Sequence, residues 1–171
     1  MDTVSLLREQ IKMAHDWFEA TMTGVSQEHA DDQPQGTAHS IGSRYAHAVT
    51  AEDVMVNSLI RGGAPMYAGD YAGKTGISEP RFDSPLEWAR SVRVDLGAAR
   101  RYAQAVYANT ADYLNTLNDD DLERIVDLSE QNMGQWTLGA FLISFVLGHM
   151  RDVMGEISAL KGTQGLQGYP F

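Results

Sequence analysis

Between Trp136 and Gly162 the chain reads WTLGAFLISFVLGHMRDVMGEISALKG, the stretch that most constrains the fold. Leu138, Leu142, Phe145, Val146, His149, Val153, Ile157 and Leu160 recur at steps of three and four, which places them on one face of a single long helix. His149 therefore faces a core. An unsatisfied buried polar group there would cost roughly 1–3 kcal/mol, so the ring needs a hydrogen-bond partner or a metal. The uncharged run from Gly139 to Met150 is shorter than the ~20 residues a spanning helix needs, so it reads as a buried helix and no membrane partner is expected.

Three further stripes have the same period. Val4, Leu7, Ile11, Ala14, Phe18, Met22 and Val25 predict a helix from about Thr3 to Thr23, ended by Gly24, with His15 and Trp17 at the stripe's edges. After a short turn at Ser26–Ala30 and the loop DDQPQGTAHS, Ser40 caps a second helix from about Ile41 to Arg61. Its face carries Tyr45, Ala48, Val49, Glu52 and Val56. Ser84-Pro85-Leu86-Glu87 has the form of a capping box and predicts one continuous third helix to about Leu117. A mixed segment at about 119–135, with no convincing strand, leads to Thr137 as cap of the fourth.

Four amphipathic helices without strands predict an all-α four-helix bundle filling a single domain, residues 1–171. The connection 62–83, rich in Gly, Pro and Tyr, is long enough to cross the length of a helix or to act as a lid. A crossover there lets helices 2 and 3 run parallel, which predicts an up-down-down-up order. Asp119–Asp121 reads as a solvated helix-end cluster, and the tail's Leu166, Tyr169 and Phe171 are apolar enough to dock on the bundle or on a second subunit of a homodimer.

Composition narrows the function. Thirteen Lys+Arg against 23 Asp+Glu give a formal charge of −10, which repels polyanions, so no nucleic-acid partner is expected. The absence of cysteine excludes thiolate nucleophiles and Cys-ligated zinc, leaving His and carboxylates as candidate metal ligands. MDTVSLLREQIK has no apolar signal core, and a cytoplasmic location is the default expectation.

SIGSRYAHAVTAED in the second helix and GHMRDVMGEISALKGTQGLQGYPF at the end resemble the DinB-like (DinB/YfiT) superfamily of metalloenzymes, and the likeness spans the whole chain. The resemblance implies an up-down-down-up bundle holding a divalent metal, zinc or nickel, with hydrolase or thiol-transferase chemistry. It implies His47 as the second-helix ligand, His149 as the first fourth-helix ligand and Gly155-Glu156-Ile157 as the closing triplet. Val153 stands where the third histidine is expected. Residues four apart lie one above the other on a helix, so an aliphatic side chain there removes a ligand, and Asp152, three residues after His149, is the nearest substitute. Three readings of His47 and His149 stay open: core histidines hydrogen-bonded to each other, to Asp152 or to water; a weakened metal site with Asp152; or a metal-free His–Asp acid/base pair. Two functions follow, a relative that has lost its metal and keeps a small-molecule cavity or dimerisation role, or a metal-dependent enzyme using His47, His149 and Asp152. Tyr45, Tyr102 and Trp88 are read as core packing or pocket lining, while His15–Asp16 and Glu28–His29 carry no catalytic signal.

Overall fold

The computed structural model describes residues 2–171. Among these the chain is largely helical, with a small strand component. Helix α1 spans Thr3–Thr21, α2 Gln27–Asp31, α3 Ile41–Asp53, α4 Leu86–Ser91 and α5 Leu96–Asn115. Strands β1 (Ile125–Leu128) and β2 (Gly134–Thr137) precede α6 (Leu138–Phe141) and α7 (His149–Thr163).

The predicted N-terminal caps of the His-bearing helices are present. Ser40 Oγ accepts from Ser43 N at 3.2 Å to open α3, and Thr137 Oγ1 accepts from Ala140 N at 3.3 Å to open α6. Both helices then widen into π-helical stretches, Val54–Ile60 after α3 and Leu142–Gly148 before α7. A π turn holds more residues than an α turn, so a stripe drawn at a constant 3.6-residue period drifts through it. Phe145 is accordingly half-buried, and Ile143 and Ser144 are exposed. Leu138–Thr163 remains one 26-residue rod. Among the described residues it is the one helix long and apolar enough by length and composition to cross a membrane, and 39% of its most apolar window is buried within the protein.

Two expected elements are different. The third helix is not continuous: α4 ends at Ser91, Val94 bridges to Ile77, and α5 starts afresh with Asp95 capping Ala98 N at 2.9 Å. Ser84-Pro85 supplies no side-chain cap, because Pro85 itself occupies the extended N-cap position. The segment expected to lack strands forms an antiparallel hairpin, with Val126 opposite Trp136 and Asp127 opposite Gln135. Val126 and Leu128 face inward while Ile125 is exposed, the alternation of a strand with one buried face.

Side-chain contacts fix the helix directions. Arg8 at the start of α1 donates to Leu114 O and Leu117 O at the end of α5, so these two run antiparallel. Arg151 meets Gln10, and the buried Lys161 donates to Thr21 O and Thr23 O, so α7 runs with α1 and closes its C-terminal end. Tyr102 reaches Asp53 while Arg61 covers the Tyr113 ring further along, so α3 and α5 run the same way. α1 packs on α5 and α7, and α3 packs on the same two. The long segment 62–83 is tied down near its start by Asp53, whose carboxylate accepts from Met66 N and Tyr67 N. Asp119 is not only solvated, since its carboxylate accepts from Thr3 N and Val4 N at the start of α1. The tail lies along the helices, with Phe171 edge-on to Trp17 at 5.5 Å.

Candidate functional site

Helix α3 is buried almost all round, with only Arg44 and His47 outside its buried set. His47 turns toward α7, where His149 opens the first α-helical turn after the π stretch. Their Nε2 atoms lie 3.0 Å apart and the rings meet edge to face at 4.8 Å between centroids. At this distance one Nε2 donates its proton and the other accepts it, so the two imidazoles satisfy each other when both are neutral. Burial lowers the pKa of His47 to about 3, with the His149 and Arg44 charges acting in the same direction. Burial also lowers that of His149, against the opposing pull of Asp152. The pair is held uncharged.

Around it the closing triplet is structural. Glu156 forms an ion pair with Arg44 across α3 and α7 at 2.9 Å, and Ile157 is fully buried. Val153 is 3% exposed and fills the position one turn beyond His149. Asp152 is exposed, close enough to act on His149 by charge but without a hydrogen bond to it among the described residues.

A metal held by two imidazoles at about 2.1 Å in tetrahedral geometry would place their nitrogens about 3.4 Å apart, a small opening of the present pair. The third donor is what fails. Among the described residues no group of three or more His, Asp or Glu side chains is placed to share a cation. His47 Nδ1 is buried without a partner, whereas a metal-bound imidazole usually donates its second N–H to a carboxylate or carbonyl. The residues present do not fit a closed three-ligand centre.

A second polar constellation lay unrecognised in the sequence. Glu52, 2% exposed, accepts from His15 Nε2 at 2.9 Å and from Thr110 Oγ1 at 2.6 Å. Glu19 accepts from Tyr45 and Tyr107 through one oxygen, at 2.8 and 3.0 Å. Asp53 accepts from Tyr102 and Asn57. Tyr45, Tyr102 and Trp88 are thus core residues, each with its polar tip bonded, Trp88 to Glu79 O. The legible signal was Glu52 on an otherwise apolar face; His15 at a stripe edge gave no hint of its partner, which is far away in the chain.

The pattern that defines the DinB superfamily matches residues 10–157. The crystal structure of a conserved protein from Enterococcus faecalis superposes with a TM-score of 0.79 at 20% identity, covering 96% of this chain and 99% of the other, a likeness of fold. A comparison with curated proteins gave no match. With its sequence pattern matched over most of its length, the chain belongs to the DinB superfamily.

Proposed function

We propose that this protein is a DinB-superfamily member whose metal centre has been replaced by a hydrogen-bonded histidine pair, and that it works as a small-molecule binding or dimerisation module. The observation that carries this reading is the 3.0 Å contact between His47 and His149 beneath the buried, aliphatic Val153. Two nitrogens that already satisfy each other gain less from a cation than two left unpaired, and no third donor adds affinity. The pairwise helix directions support one domain over residues 1–171, organised as an up-down-down-up bundle with 62–83 as its crossover. The charge of −10 supports a reading without nucleic-acid partners, and the cytoplasm is the compartment this reading assigns.

The test is zinc titration by calorimetry on three proteins in one buffer. The parent should bind weakly, Val153→His at least tenfold more tightly, and the Val153→His/His47→Ala double variant no better than the parent. No gain in the single variant would mean that the two histidines do not converge on a position open to a cation. The competing reading, a divalent-metal-dependent hydrolase or thiol transferase using His47, His149 and Asp152, draws on the charge contact between Asp152 and His149. Stoichiometric zinc in the parent that Asp152→Ala removes would put that reading first.

A further inference from the structure

α1 and α5 are separated by a cleft of about 600 Å³, on the side of the helix array opposite the His47–His149 pair, which lies between α3 and α7. Its volume is in the range of small-molecule sites. Ile11, Tyr107, Ala108, Ala111 and Leu114 supply apolar walls, and the polar lining includes the acceptors Glu19 and His15.

His15 lines the cleft while 8% exposed, its ring stacked on Tyr107 at 4.0 Å. Glu52 accepts a hydrogen bond from Nε2–H, so in the neutral ring with its proton there Nδ1 is a lone-pair acceptor, and it has no partner among the described residues. One turn further along α1, Glu19 uses a single oxygen for both tyrosine hydroxyls, and its second oxygen has no partner among the described residues. Each cation of the cleft already has a partner. Arg8 spends Nε and one terminal nitrogen on the α5 carbonyls, and Lys12 is paired with the lining residue Asp16. A ligand matching these walls needs an apolar body and a positively charged donor.

We propose that the α1–α5 cleft is a binding site for a protonated organic amine with a compact aryl or alkyl body, whose ammonium donates to Glu19 and to Nδ1 of His15. The assignment rests on the reading of the protein as a small-molecule binder and is independent of whether the histidine pair holds a metal. Glu52 and Thr110 act as positioning residues, fixing the His15 tautomer from beneath.

Phenethylamine, 2-phenylethanol and 3-phenylpropionate serve as matched cationic, neutral and anionic probes, titrated into the isotopically labelled full chain with NMR detection of amide and imidazole shifts. Phenethylamine should bind saturably, at least tenfold more tightly than the other two, and the shifts should centre on α1 and α5 with the His15 ring among them. Glu19→Gln should weaken the amine at least tenfold. Ala108→Phe fills the cleft from an exposed position on α5 and should do the same without changing the circular dichroism spectrum. Equal binding of the three probes, shifts centred on α3 and α7, or no saturable amine binding by the parent would each overturn the proposal. These readings on the parent hold even if a variant fails to fold. Absence of amine binding leaves the zinc titrations standing, and zinc uptake by the parent leaves the amine titration standing, so the two readings fail separately.

Discussion

At the scale of single residues, His47 shows how strongly a position decides chemistry. An imidazole with an ordinary pKa near 6.5 is held neutral down to about 3 because burial beside another histidine and Arg44 penalises its charged form. In the unfolded chain the same ring charges below about 6.5. The folded state then binds fewer protons than the unfolded one, so this contribution to stability is complete above that pH and is lost as pH falls toward 3. His149, also lowered, acts in the same direction. Between pH 6 and 5 the loss should approach about 1.4 kcal/mol for His47 alone, a window above most carboxylate titration. Urea denaturation across that window should show a shallower pH slope for His47→Leu than for the parent, and equal slopes would sink the neutral-pair description.

At the scale of elements, the broken third helix is the departure with the clearest cause. Gly76 has φ +72°, and a Cβ placed there would lie 2.6 Å from Ala98 Cβ, 2.7 Å from Ala99 N and 2.7 Å from Asp95 O. The 62–83 segment therefore presses directly against the first turn of α5, and Asp95 N donates to Gly76 O at 2.7 Å. That contact and the Ile77–Val94 bridge take up the backbone groups that a continuous helix would have used internally. Gly76→Ala adds left-handed strain to an overlap with backbone atoms that cannot step aside, and should cost roughly 2–5 kcal/mol in chemical denaturation. A cost below about 0.5 kcal/mol would show that the 62–83 segment is loosely seated.

At the scale of the whole molecule, the apolar interior divides into two clusters. One holds Ala14, Phe18, Tyr45, Val49, Tyr102 and Met150; the other holds Val4, Leu7, Ile11, Ala51, Leu114 and Val146. The divide falls between Ile11 and Ala14, between Val49 and Ala51, between Tyr107 and Leu114, and between Val146 and Met150; Thr110 and His149 lie within it, and His15 and Glu52 stand one residue beyond it. A polar layer whose members bond across helices fixes which residues face one another, since a slip of one turn separates each bonded pair. Glu52→Ala removes the acceptor shared by α1 and α5 and leaves His15 and Thr110 buried without it. Unfolding free energy should fall by roughly 3–5 kcal/mol, and a loss under about 1 kcal/mol would place water, not Glu52, at the centre of the layer.

The sequence by itself determined the helices, because amphipathic period and capping chemistry act within a few residues of chain. The stripes through Leu7, Val49, Val106 and Val146, and the caps at Ser40 and Thr137, were legible for that reason. It also singled out His47, His149 and Val153 as one candidate site, through the resemblance to the superfamily pattern, while leaving open how the two histidines are used. Tertiary structure alone decided where the helical period is interrupted. The π turns lie at 54–60 and 142–148, and the break at Val92–Asp95 falls where the 62–83 segment takes up backbone groups of the chain before α5. It also decided what the buried acids do. Glu52 meets His15 and Thr110, and Glu19 meets Tyr45 and Tyr107, across separations of 26 to 88 residues. Local periodicity carries no information at that range; only packing α1, α3 and α5 around one interior brings those side chains within hydrogen-bonding distance.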